Sequence, residues 1–187
     1  MADRFVRVLG SEEIRARVAE LGAALTEDYR DKRPVVVGVL TGALWFVADL
    51  VRHIELELDV DFLLLNRFGE GGRIRIQTDT SLPISDRHVI LVEDIVDTGL
   101  SLSVLRRMLE ERNVASLRAV TLLDKVTRRI TEVPVEYRGF EVGDEFLLGY
   151  GLDHEGEFRN LRDLWAILDL TVLRDDPESF RQAVYRR

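Results

Sequence analysis

The sequence predicts an α/β fold, a mostly parallel central sheet flanked by helices. Three observations predict it. Residues 35–40 and 89–92 are apolar, largely β-branched runs without the strict alternation of a half-exposed strand, as expected where both faces of a strand are covered, and residues 114–123 read as another strand. Two of these runs pass through a short turn into apolar residues at helical spacing, the strand–loop–helix unit of parallel sheets. The chain has 187 residues, 46% of them hydrophobic, which suits one domain with a sizeable core.

The elements follow in order. Residues 4–9 form a short strand that Gly10 and Ser11 end. Ser11 is the expected N-cap, with Glu12 and Glu13 in the first turn. Ile14, Val18, Leu21 and Leu25 then line one face of an amphipathic helix over 12–29. Pro34 opens the strand 35–40, which turns at Thr41-Gly42-Ala43 into a helix expected to point Leu44, Val47, Ala48 and Val51 inward. Residues 57–65 form a strand. The stretch Asn66-Arg67-Phe68-Gly69-Glu70-Gly71-Gly72-Arg73 reads either as a solvated hairpin, with Ile74 and Ile76 on the returning strand, or as a mobile lid. After residues 87–92, a helix reaches about residue 112, with Asn113 at its C-terminal cap. The strand at 114–123 ends in Asp124-Lys125, and residues 133–140 are extended. In the last segment Leu164, Trp165, Ile167 and Leu168 are apolar, and Asp176-Pro177-Glu178-Ser179 starts a helix. This end is assigned a packing or subunit-interface role.

Composition excludes several classes. The net charge is −8 and there is no basic run, which disfavours nucleic-acid binding. Without cysteine there are no disulfides, thiolate catalysis or Cys-based zinc. No stretch approaches the roughly 20 apolar residues of a membrane helix, and no signal peptide is visible. The expectation is a cytoplasmic enzyme or binding protein.

The chemistry concentrates in one stretch, Val89-Ile90-Leu91-Val92-Glu93-Asp94-Ile95-Val96-Asp97-Thr98-Gly99-Leu100-Ser101. A buried strand runs into three carboxylates, two hydroxyl residues and a glycine, and a helix follows with Leu102, Leu105 and Leu109 at its period. Backbone N–H groups and the positive end of a helix dipole surround such a loop, which suits a phosphate monoester held by residues 97–101. Glu93 and Asp94 then accept hydrogen bonds from neighbouring hydroxyls of a sugar phosphate. Each of these acids alone reads as an ordinary loop-edge carboxylate. The cluster as a whole is hard to explain by packing.

Glu93-Asp94-Ile95-Val96-Asp97-Thr98-Gly99 resembles the ribose-phosphate signature of the type I phosphoribosyltransferases, in the form seen in the hypoxanthine-guanine members. Glu145-Phe146-Leu147-Leu148-Gly149-Tyr150-Gly151-Leu152-Asp153 and Phe158-Arg159-Asn160-Leu161 resemble the same members' base-recognition and tail segments. The resemblance spans roughly residues 4–162. It implies a core over about 12–125, a small hood subdomain from about 1–10 and 126–165, and a C-terminal extension over 166–187. It also implies transfer of phosphoribose from 5-phosphoribosyl 1-diphosphate to hypoxanthine or guanine in purine salvage, giving IMP or GMP and pyrophosphate.

The resemblance implies roles residue by residue. Glu93, Asp94, Asp97, Thr98, Gly99, Leu100 and Ser101 bind ribose and its phosphate, with Asp97 as the base that accepts the purine N7 proton. Leu40, Thr41, Gly42 and Arg159 bind pyrophosphate, with a cis peptide between Leu40 and Thr41. Lys125 donates to the oxygen at purine position 6, which opposes the 6-amino group of adenine. Phe146 stacks on the base, Leu147 reads its edge through backbone groups, and Asp153 sits near the purine edge. Mg2+ is the implied cofactor, with Asp153, Glu93 and Asp94 as its candidate residues. Arg67 and Phe68 stand where relatives carry Ser-Tyr at the start of the lid, and Thr41 stands where several carry Lys or Arg. A homo-dimer or homo-tetramer is expected. A xanthine-preferring or pyrimidine enzyme, and a non-catalytic regulator that binds the sugar diphosphate, stay open as alternatives. His154 is assigned no role beyond an exposed loop histidine.

Overall fold

The computed structural model describes residues 4–68 and 73–185, with side chains outside 66–74. A six-stranded sheet has the order β4-β3-β2-β5-β6-β7, and a three-stranded sheet the order β1-β9-β8. The strands are β1 (Phe5–Leu9), β2 (Val35–Leu40), β3 (Asp59–Phe68), β4 (Arg73–Thr78), β5 (His88–Val96), β6 (Ser116–Asp124), β7 (Tyr137–Glu141), β8 (Phe146–Leu148) and β9 (Leu164–Ile167). The helices are α1 (Ser11–Asp28), α2 (Leu44–Leu50), α3 (Leu100–Glu110), α4 (Thr171–Asp175) and α5 (Pro177–Tyr185). In the large sheet only β4 runs antiparallel to its neighbour. The mixed α/β architecture is the one expected.

The apolar runs are continuous because both sheet faces are covered. Val36, Ile90 and Val92 join the core beneath α1 and α2, while Val35, Val37, Val89 and Leu91 join the core beneath α3. Successive residues of a strand face opposite ways, so each layer takes every second side chain. A third core gathers Leu148, Phe158, Trp165, Ile167, Val172 and Phe180 around the small sheet, α4 and α5.

Several local expectations are corrected. Gly10, not Ser11, is the N-cap of α1; its N–H donates to Glu13 Oε2 at 2.8 Å, while the Ser11 N–H donates to Asp163 Oδ1 at 2.9 Å. The buried residues of α2 are Phe46, Val47 and Leu50, while Leu44, Ala48 and Val51 are half-buried. β3 and β4 pair antiparallel from Leu64↔Thr78 to Phe68↔Arg73, with the register shifting between Leu64 and Leu65, so the hairpin reading holds for the described backbone. The lid side chains Arg67 and Phe68, and the tip 69–72, lie outside the described residues. Within the stretch expected for the hood, β7 instead pairs with β6 at the edge of the large sheet. Arg17 fastens it there by donating to the carbonyls of Arg138 and Gly139.

The topology leaves one natural crevice. The chain leaves β2 toward β3 on one side, and β5 leads to β6 on the other, so the order reverses between β2 and β5. Ligands of open α/β sheets bind at such a reversal, beyond the carboxyl ends of the strands. Pairing of β2 with β5 stops at Gly38↔Val92, while β5 continues to pair with β6 as far as Val96↔Asp124. The two strands part there, and the crevice opens between them.

Candidate functional site

The crevice is a cavity of about 320 Å³. Leu40 and Gly42 line it from the end of β2 and its turn, Glu93 and Asp94 from β5, Asp97, Thr98 and Gly99 from the turn after it, Ser101 from the start of α3, and Asp153 and Arg159 from the tail loop. The strand–turn boundary differs from the one expected. β5 runs through Val96, so Glu93 and Asp94 stand on a strand, and only residues 97–99 form the turn. Gly99 caps α3 at φ +85°, a conformation that side chains rarely adopt, and the chain can therefore reverse there within three residues. The first amides of α3 point into this turn.

Glycine at position 42 is a matter of space. A Cβ there would stand 1.6 Å from Asp94 Oδ2, so the Asp94 carboxylate lies directly against the bare Cα. Asp94 also accepts from the Ile95 N–H at 2.8 Å. Burial pushes its pKa up to about 6, outweighing that hydrogen bond and the nearby Arg159 guanidinium. The peptide between Leu40 and Thr41 is cis.

Arginines organise the acids of the cleft. Arg159 Nη2 pairs with Asp153 Oδ1 at 2.7 Å, and its Nη1 donates to the Gly151 carbonyl at 2.6 Å. Arg128 Nε stands 2.7 Å from Asp97 Oδ1, an ion pair whose N–H is not aimed at the oxygen. Arg129 donates to the Asp97 carbonyl at 2.7 Å and also to Asp124, whose carboxylate is wholly buried and meets Arg138 Nε at 2.5 Å.

Lys125 follows Asp124 at the end of β6. Its N–H donates to the Val96 carbonyl at 2.9 Å, and its ammonium donates to the Glu145 carbonyl at 2.7 Å and the Asp144 carbonyl at 3.3 Å. It is 8% exposed. Two carbonyl partners leave one of the three ammonium protons for a ligand. Phe146, the next residue after Glu145, is 36% exposed and meets His154 edge-on at 5.8 Å. Leu147 is buried, and among the described residues its strand β8 pairs only with β9, at one end of the small sheet.

Residues 8–155 match the phosphoribosyl transferase domain family. The chain belongs to the phosphoribosyltransferases. The hypoxanthine phosphoribosyltransferase of Haemophilus influenzae is 46% identical over 169 residues, covering 86% of this chain and 94% of that protein. A hypoxanthine-guanine phosphoribosyltransferase of Streptococcus pneumoniae is 42% identical over 158 residues, covering 82% of this chain and 88% of that one. A crystal structure of a hypoxanthine phosphoribosyltransferase from Staphylococcus aureus superposes with a TM-score of 0.84 at 37% identity, over 87% of this chain and 90% of that one.

Not every expected residue reaches the phosphoribosyltransferase cleft. Leu100 is 48% exposed with its side chain in solvent, so only its backbone is available to a phosphate. Thr41 is exposed and does not line the cavity, although its neighbours on both sides do. Lys125, Phe146 and Leu147 also lie outside the cavity walls; the Lys125-to-Val96 and Lys125-to-Glu145 hydrogen bonds join them to its rim. Among the described residues no group of three or more metal-ligating side chains forms a metal site on its own.

Sequence reasoning missed four participants. His154 is half-buried against Phe146, not a free loop histidine. Arg128 and Arg129 face Asp97 and Asp124. Asp124 was passed over as a strand end. The available signal was two arginines three and four residues beyond Lys125, with a buried-strand acid just before it.

Proposed function

We propose that this phosphoribosyltransferase moves the 5-phosphoribosyl group from 5-phosphoribosyl 1-diphosphate to hypoxanthine and/or guanine, giving IMP or GMP and pyrophosphate. The observation that carries this reading is the linkage of the acid-lined cavity to Lys125 and Phe146. The backbone of Lys125 is bonded to the end of β5, and its ammonium to the residue before Phe146. A donor-only ammonium beside a half-exposed ring suits a 6-oxopurine and opposes adenine. The names of the relatives at 42–46% identity support the same bases. They do not favour the xanthine-preferring alternative.

In this reading the 5-phosphate of the donor lies against residues 97–101 at the start of α3. Glu93 and Asp94 accept from the ribose hydroxyls, and the diphosphate lies between the Leu40–Gly42 turn (residues 40–42) and Arg159. The purine lies over Phe146, with O6 toward Lys125 and its edge along the backbone of β8. Purine N9 bonds to ribose C1 as the C1–O bond to pyrophosphate breaks. The N7 proton passes to Asp97, which leaves Arg128 to receive it. The Asp97 charge also stabilises the cationic ribosyl centre.

The cleft suits Mg2+ held mainly by substrate. Mg2+ keeps several waters and takes one or two carboxylates plus phosphate oxygens, and Asp94 and Asp153 both line the cleft as hard oxygen ligands without a protein cage. Asp153, Glu93 and Asp94 would hold it, directly or through water, and it would neutralise the pyrophosphate leaving group.

The test is to incubate the pure protein with the sugar diphosphate, Mg2+ and, in turn, hypoxanthine, guanine, xanthine, adenine and uracil, and to measure nucleotide and pyrophosphate release. Hypoxanthine or guanine is the expected substrate. Conversion of xanthine or uracil alone would overturn the base assignment, and binding of the sugar diphosphate without turnover of any base would make the protein a regulator. Light scattering is expected to return a homo-dimer or homo-tetramer. No helix among the described residues is long and apolar enough to cross a membrane.

A further inference from the structure

The C-terminal helix α5 has no part in the reaction as so far described, yet it touches the cleft loop at three of four consecutive residues. Arg181 Nη2 pairs with Glu157 at 2.7 Å. Phe158 is buried, meets Phe180 edge-on at 5.1 Å and stacks on Tyr185 at 6.4 Å. The Tyr185 hydroxyl donates to Asn160 Oδ1 at 2.9 Å. The one residue of the four that α5 does not hold is Arg159, and Arg159 lines the cleft.

The backbone explains the division. Gly151 donates its N–H to the Arg159 carbonyl at 3.0 Å and Tyr150 donates to the Leu161 carbonyl at 2.9 Å, so the loop is a narrow hairpin with two faces. Phe158 sits at φ +73°, an uncommon conformation for a side-chain-bearing residue. It persists where the surroundings over-determine it. Here the surroundings are a ring cluster: Phe180 is fully buried and also meets Phe5 at 5.0 Å and Trp165 at 6.1 Å. With Phe158 locked into that cluster, the next side chain is delivered to the opposite face, where its guanidinium meets Asp153 and the Gly151 carbonyl.

We infer that α5 is a positioning element for the leaving-group half of the site: Phe158 and Tyr185 are positioning residues that fix the Arg159 guanidinium for the diphosphate. This rests on the reading that Arg159 contacts the diphosphate. Without the ring cluster the hairpin keeps its backbone bonds to Gly151, but Phe158 no longer has one place to go. Arg159 then samples several orientations, and the donor meets a charge that must be ordered on binding.

The experiment compares Tyr185→Ala, Phe158→Leu, Arg159→Ala and the double variant Arg159→Ala/Tyr185→Ala in the full chain by steady-state kinetics, with thermal midpoints alongside. Tyr185 is half exposed at the end of α5, so its removal leaves the core intact. KM for the sugar diphosphate is expected to rise about fivefold in Tyr185→Ala and about tenfold in Phe158→Leu, while KM for the purine stays within about twofold. Tyr185→Phe, which keeps the stacked ring, is expected to recover most of the loss. On the Arg159→Ala background, Tyr185→Ala is expected to add nothing, because it acts through the absent guanidinium. A further loss in the double variant, or an unchanged KM in Tyr185→Ala beside a raised one in Arg159→Ala, would overturn the role of α5 alone. An unchanged KM in Arg159→Ala would overturn the diphosphate role of Arg159, and the positioning role with it.

Discussion

Gly42→Ala tests the geometry of the cleft more sharply than removal of any charged group, because it adds one methyl and removes no chemistry. The added Cβ would stand 1.6 Å from Asp94 Oδ2 and 2.6 Å from its Cγ. Non-bonded heavy atoms settle near about 3.5 Å, so the carboxylate must retreat by about 2 Å. It can do so by rotating its side chain, since the obstruction is a carboxylate and not backbone; the fold therefore survives, with a stability change of about 1 kcal/mol or less. The retreat takes Asp94 away from the ribose hydroxyls it is proposed to hold. A misplacement of about 1 Å at a reacting centre already costs about 100-fold, so kcat/KM is expected to fall by about 100-fold or more, most of it in the sugar-diphosphate term. The assay is initial rate against sugar diphosphate at saturating hypoxanthine, with circular dichroism to confirm folding. The double variant Gly42→Ala/Asp94→Ala should be no worse than Asp94→Ala, because the clash and the carboxylate are then both gone. A folded Gly42→Ala enzyme with kcat/KM within about threefold of wild type would refute the placement of Asp94 as a ribose ligand.

Three further outcomes follow from the same geometry. Asp97→Asn is expected to lower kcat about 100-fold or more while KM for the sugar diphosphate changes less than about threefold; equal losses in both would make Asp97 mainly structural. Asp124→Asn removes the one carboxylate shared by Arg129 and Arg138, and urea unfolding should show a loss of about 3 kcal/mol at unchanged m; a loss below about 1 kcal/mol would show that the arginines find other partners. The raised pKa of Asp94, about 6 against 3.8, means the folded chain holds this proton more tightly than the unfolded one. Its stabilising contribution is therefore complete below about pH 4 and is lost as pH rises through about 6. In chelator-treated protein, the thermal midpoint of wild type relative to Asp94→Asn should fall over that window; a rise would show that Asp94 is stabilised in its charged form.

What the sequence revealed and what it hid divide along a physical line. The parallel sheet was legible because strands covered on both faces are apolar at every position: Val35, Val36 and Val37 serve two cores in turn. The β5–α3 turn was legible because its chemistry is contiguous in the chain. Its boundary was not, since Glu93 and Asp94 are polar residues in a strand that goes on pairing with β6, at Glu93, Ile95 and Val96, after β2 has parted. Arg128 and Asp97 are 31 positions apart, and nothing local marks an arginine after a strand as the partner of an acid on the neighbouring strand's turn. Phe158-Arg159 is the extreme case. The pair reads as one core residue beside one surface residue. Its arrangement depends on a positive φ at a phenylalanine and on a helix some 20 residues onward that holds the ring. Helical spacing identifies α5 and the family signature identifies Arg159, but neither pattern contains the contact between them. That contact exists only because β9 returns alongside β1 and β8 and brings Trp165, and with it α4 and α5, beneath the cleft loop.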